Sequence, residues 1–208
     1  GAALEICRGP MDVLAADAVT VLAGYAKDRP LLLSEVGAVE ANHAGPSKLY
    51  EGDREGILLH DLLFAPFFAG AAGPGQSWHW HFYIDKHDLW WHFGRFAEAV
   101  RDLDPVSEQF RPFRLEHPSL RVFGLRGQSA TLLWLRDAAS NWHTELVEGK
   151  PASTLSAISL PLAGLERASA YREARCYHPW LDRHENALIQ NDELRLPDFR
   201  RSLTVRLT

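Results

Sequence analysis

The residue whose type and placement most suggest chemistry is Glu35, which ends the run Pro30-Leu-Leu-Leu-Ser-Glu-Val-Gly37. An unbroken apolar run of this length reads as a strand covered on both faces. A carboxylate at its end is either a solvent-exposed or salt-bridged strand end, or a group held at a site that uses it as nucleophile or general acid or base. A second chemistry-bearing cluster is Trp78-His-Trp-His81, inside an aromatic stretch, residues 76–83, that reads as another strand. Alternate residues of a strand share a face, so Trp78 and Trp80 either stack on a sugar ring or pack on a flanking helix. His79 and His81 then point the same way, a spacing that allows two ligands to one metal ion, with His43, His60, His87 or Asp85 as a third. Nothing in the spacing sets that geometry, so the expectation is no metal and no cofactor, with polar lining or hydrogen bonding to sugar as the role of both histidines.

Other polar and aromatic residues carry weaker signals. Glu40 reads as solvated surface, or as a support for Glu35. His87, His92, His143 and His178 read as surface or capping residues, and Trp142 and Trp180 as core rings or a carbohydrate platform.

These groups must be positioned by the elements around them. Residues 11–26 place Leu14, Ala18, Val21, Leu22 and Tyr25 on one helical face behind Gly9-Pro10. Residues 31–34 form the first strand, and 38–52 read as loop. Asp53 can cap a helix to about Ala65, which Pro66 ends or kinks. Asp85, with Asp88 three residues on, opens a third helix through Leu89, Phe93, Phe96, Val100 and Leu103. After Pro105 the pattern changes to short alternating runs at 120–125, 130–135, 155–160, 170–177 and 203–207, separated by turn residues. That half reads as an antiparallel sandwich joined by a short linker over about 104–117.

A parallel pair of strands with three helices cannot cover its own sheet, so the first half reads as the last units of a repeated strand and helix fold, most commonly the eightfold barrel. The expected class is therefore α/β plus all-β: a partial (β/α)8 barrel over residues 1–105, followed by an antiparallel β-sandwich over 106–208. Exposed edges of an incomplete barrel predict self-association.

Bulk properties narrow the function. A formal charge of −5, with no run of Lys or Arg, argues against nucleic acid as a partner. No apolar run approaches the length of a membrane span, so no membrane partner is expected. The two cysteines, Cys7 and Cys176, are too far apart in sequence to read as a metal knuckle or a disulfide framework.

Arg29-Pro-Leu-Leu-Leu-Ser-Glu-Val-Gly37 resembles the seventh-strand motif of the retaining glycoside hydrolases built on a (β/α)8 barrel, the cellulase and β-mannanase-like group of clan A. Residues 59–85, through Ala69-Gly-Ala-Ala-Gly-Pro-Gly-Gln-Ser-Trp-His-Trp80, are similar to the seventh helix and eighth strand of bacterial members. Val122-Phe-Gly-Leu-Arg126, Leu133-Trp-Leu135, Tyr177-His-Pro-Trp180 and Leu194-Arg-Leu-Pro-Asp-Phe199 resemble the small β-sandwich that often follows such barrels.

The resemblance implies Glu35 as catalytic nucleophile, Trp78 and Trp80 as rings stacking on the sugar beside it, and a β-glycan as the carbohydrate partner. It also implies an acid/base Glu on a fourth strand that this chain does not supply. Since retaining hydrolysis needs two carboxyl groups about 5 Å apart, the chain by itself is expected to be inactive. Its localisation follows as extracellular or periplasmic if the parent carries a signal peptide. The other expectation is a non-catalytic carbohydrate-binding or structural module.

Overall fold

The computed structural model describes residues 9–26, 29–40, 44–166 and 170–208. The chain divides into two compact units, residues 1–98 with 141–150, and residues 99–140 with 151–208.

In the first unit, α1 (Met11–Ala26) packs on α3 (Ile57–Phe68), and α2 (Leu49–Gly52) and α4 (Trp91–Ala99) are shorter. The extent of α1 is as expected, but its buried side is Asp12, Ala15, Ala16 and Val19. Val21, Leu22 and Tyr25 are exposed. Small side chains let two helix backbones approach closely, and that outweighs the larger apolar stripe. Every residue of α3 is buried, as a helix apolar all round requires. Phe96 of α4 meets the Phe64 and Phe67 rings edge-on.

Asp53 does cap α3: its Oδ1 accepts from the Ile57 amide at 2.8 Å and its Oδ2 from the Leu58 amide at 2.9 Å. Pro66 does not end the helix. The ring removes the amide that would bond the Leu62 carbonyl, and the Gly75 amide takes that carbonyl instead at 3.2 Å. A side chain at position 75 would collide with that carbonyl and press on Pro66 and Val36.

The expected parallel strands are reduced to extended segments with little ladder. Leu31 and Leu33 carbonyls accept from Ala72 and Gln76 at 2.8 and 2.9 Å, and Val36 exchanges bonds with Gln76 and Trp78. Val36 and Ser77 form an isolated parallel bridge. Leu32 is 56% exposed, so the leucine run is not covered on both faces. The second expected strand stops at Trp78: the chain enters a turn, then a π-helical turn, His81–Asp85. Asp88 takes a left-handed conformation, φ 54°, which delays α4 to Trp91 and overturns the helix expected from Asp85.

The second unit opens with α5 (Pro105–Glu108), capped by Asp104, inside the expected linker. Its strands are antiparallel: β1 (Arg111–Leu115), β2 (Leu120–Arg126), β3 (Thr131–Asp137), β4 (Thr154–Leu155), β5 (Ser159–Pro161), β6 (Ala174–His178), β7 (Arg183–Asn186), β8 (Leu188–Gln190), β9 (Glu193–Arg195), β10 (Phe199–Arg200) and β11 (Ser202–Leu207). They form a six-stranded sheet in the order β1-β2-β3-β11-β6-β7, a three-stranded sheet β5-β9-β8 and the pair β10-β4. Leu133, Leu135, Val205 and Cys176 of the large sheet share a core with Leu160, Leu194 and Phe199 of the smaller ones.

Candidate functional site

Glu35 lies at a bend at the end of the leucine run and is exposed. The next residue fixes its place: the Val36 amide donates to the Gln76 carbonyl at 3.0 Å, and the Val36 carbonyl accepts from Trp78 at 3.1 Å. Glu35 and Trp78 therefore stand diagonally across one isolated parallel bridge, Glu35 before it on one segment and Trp78 after it on the other, in place of the two strands expected.

The backbone beyond Glu35 rests on a residue that the sequence reading missed. The Ala38 amide donates to Tyr50 Oη at 2.6 Å. A Cβ at Gly37 would stand 2.7 Å from the same oxygen, so this position needs glycine for space. The Tyr50 ring stacks on Tyr83 with centroids 4.2 Å apart, and Tyr83 donates to the Asp53 carboxylate while accepting from the Leu59 amide at 3.1 Å. A continuous buried chain thus runs from the capped start of α3 to the loop that carries Glu35. Burial pushes Tyr50, Tyr83 and Asp53 all upward, so both phenols stay protonated at neutral pH. Tyr50 falls in a stretch read as loop and Tyr83 at the end of one read as a strand, so neither carries a signal of their pairing.

The aromatic cluster splits in two. Trp78 and Trp80 are 57% and 52% exposed, and His81 is exposed, whereas His79 is 9% exposed. The turn that replaces the expected strand sends the two histidines to different surroundings, so they do not share a face. No group of three or more metal-ligating side chains is found among the described residues. Buried His79 is held below the ordinary histidine value, by burial first and then by His81. Its Nδ1 has no hydrogen-bond partner among the described residues.

The other candidates are placed as follows. Glu40 Oε1 accepts from the Lys48 amide at 2.7 Å. His87 and His92 bond the Tyr50 and Glu55 carbonyls, both at 2.8 Å: the first carbonyl lies in α2, whereas Glu55 precedes α3 and His92 is buried, so His92 is neither a surface nor a capping residue. His143 pairs with Glu148, and His178, buried, with Glu185, each at 3.2 Å. Trp142 donates its indole proton to the Gly9 carbonyl and Trp180 to Ser202 Oγ, each at 3.0 Å, and Arg201 covers the Trp180 ring. These two rings belong to different units and each is engaged within its own. His43 lies outside the described residues.

No family model matches the chain, and no curated protein matches it. Among solved structures it is similar to the GH30 endoxylanase from Clostridium papyrosolvens C71, with a TM-score of 0.44 at 11% identity, over 93% of this chain and 45% of that one. The chain thus spans less than half of that enzyme's length.

Proposed function

We propose that this chain is the part of a retaining β-glycoside hydrolase that carries the nucleophile, Glu35, with Trp78, Trp80 and His81 facing the sugar and His79 supporting them from beneath. The observation that supports this reading is the parallel bridge between Val36 and Ser77, with an exposed carboxylate one residue before it on one segment and an exposed tryptophan one residue after it on the other. In the proposed reaction a Glu35 oxygen bonds to the anomeric carbon of a poly- or oligosaccharide as the glycosidic bond breaks, and a second carboxyl group protonates the leaving oxygen. Water, deprotonated by that second group, then releases the sugar. In this reading the second group is supplied by another part of a longer protein or by a second polypeptide.

The nucleophile can be tested without that acid, because dinitrophenolate leaves unprotonated. Dinitrophenyl β-glycosides of cellobiose, mannobiose and xylobiose should give a burst of dinitrophenolate and a covalent adduct on the peptide containing Glu35. Glu35→Gln should abolish both. No burst with any of them, or a burst that survives the substitution, sinks the assignment.

The second reading, a non-catalytic carbohydrate-binding module, is favoured by the exposure of the aromatic rings. An unlabelled Glu35 with retained oligosaccharide binding would select it.

A further inference from the structure

We infer that the string of rings Phe82, His81, Trp80, Trp90 and Phe93 is a binding surface for a neutral oligosaccharide, carrying the sugar contact of Trp78, Trp80 and His81 at Glu35 onward to Phe82, Trp90 and Phe93. The inference rests on the proposed reading for the class of ligand and on ring geometry for everything else. The rings follow one another at contact distance: 4.0 Å from Phe82 to His81, 5.3 Å from His81 to Trp80, 6.4 Å from Trp80 to Trp90 and 5.7 Å from Trp90 to Phe93.

Three features say that this surface is built rather than left over. The aliphatic side chains of the same stretch, Ile84 and Leu89, are 1% exposed, while Trp80, Phe82 and Trp90 are 52%, 52% and 45% exposed. The stretch thus buries its aliphatic side chains and leaves its rings exposed. Trp90 is also held in place, its indole donating to Asp85 Oδ1 at 3.2 Å. The backbone serves the same end. The Asp85 amide bonds the Trp80 carbonyl at 2.8 Å and the Leu89 amide bonds the Ile84 carbonyl at 2.9 Å, wide turns of the kind that gather at functional sites.

The ligand class follows from charge and ring chemistry. Nucleic-acid bases also stack on such rings, but they need a positively charged groove. Here Asp85 and Asp88 stand beside Lys86 in a chain of charge −5. A pyranose offers an apolar C–H face to a ring and hydroxyls to the polar groups between rings, and it carries no charge to repel. The tilt of 49° between Trp80 and Trp90 fits a single bent chain better than a flat crystalline surface.

The test is titration of the 208-residue chain with cellohexaose, mannohexaose and xylohexaose, followed by tryptophan fluorescence and by the indole N–H resonance of Trp90. At least one hexasaccharide should bind and move that resonance. Trp90→Ala should weaken binding about tenfold, and Trp90→Phe, which keeps a ring, should weaken it less. Circular dichroism of both variants checks that the fold is kept. A chain that binds a hexasaccharide through Trp90 but forms no adduct on Glu35 keeps this surface and loses the nucleophile assignment, so the two failures are told apart. The inference is overturned if no hexasaccharide binds at millimolar concentration, if Trp90→Ala binds as well as the parent, or if the substitution instead lowers the solution mass, which would make the rings a contact between copies.

Discussion

Tyr83 donates a hydrogen bond to the buried carboxylate of Asp53 while its ring lies flat on Tyr50, which in turn holds the Ala38 amide. The start of a helix and the loop carrying the candidate nucleophile are thereby parts of one packed unit. Tyr83→Phe should cost about 1–2 kcal/mol in urea unfolding. Asp53→Ala should cost roughly twice that, because it also strips the caps from Ile57 and Leu58. Equal costs for the two would mean that the carboxylate serves the tyrosine alone.

Gly37→Ala should displace Tyr50, since the new methyl carbon would stand 2.7 Å from its hydroxyl. The expected loss is about 1–3 kcal/mol, with faster hydrogen exchange at Ala38. Gly37→Ala combined with Tyr50→Phe should recover part of that loss, because the oxygen in the way is gone. A double variant no more stable than the single one rejects the explanation.

In the second unit, burial alone would raise Glu108, but hydrogen bonds from the Ser129 hydroxyl and amide and from the Ala130 and Gln128 amides outweigh it and hold the carboxyl below the ordinary value. A depressed carboxyl contributes stability that is present above its unfolded value, about pH 4.3, and is lost as pH falls through the folded value. Unfolding of that unit should therefore ease as pH drops below about 4.3, and Glu108→Gln should flatten the dependence. An unchanged slope in the variant would place the acid sensitivity elsewhere.

Cys176 is buried in the core of the large sheet, and burial pushes its thiol up to about 12. In a Cys7→Ser background, a disulfide reagent at pH 8 should leave the native chain unlabelled and label it once urea unfolds it, because only thiolate reacts. Prompt labelling of the native chain would show that the core opens locally.

Much of this architecture was legible where one rule dominated. The bounds of α1, the capping role of Asp53 and the strands β2, β3 and β11 follow from periodicity, capping chemistry and alternation. The misreadings have separate causes. The face of α1 was misjudged because size was read as burial, whereas α3 selects small residues. Residues 76–83 look like a strand by composition, yet a turn follows Trp78 and a bond five residues apart carries the chain through the π-helical turn His81–Asp85. β7 is exposed along its whole length, so it carries no alternation to read. At the candidate site Glu35 and Trp78 could be named from sequence, while Tyr50 and the separation of His79 from His81 needed coordinates.

The exchange of partners at the Leu62 carbonyl has a kinetic meaning. Where a proline would ordinarily let the end of a helix fray, the Gly75 amide closes the gap, and the chain leading to Trp78 starts from that bond. The end of α3 and the approach to the aromatic cluster should therefore open together, and exchange at the single amide of Gly75 would report on both.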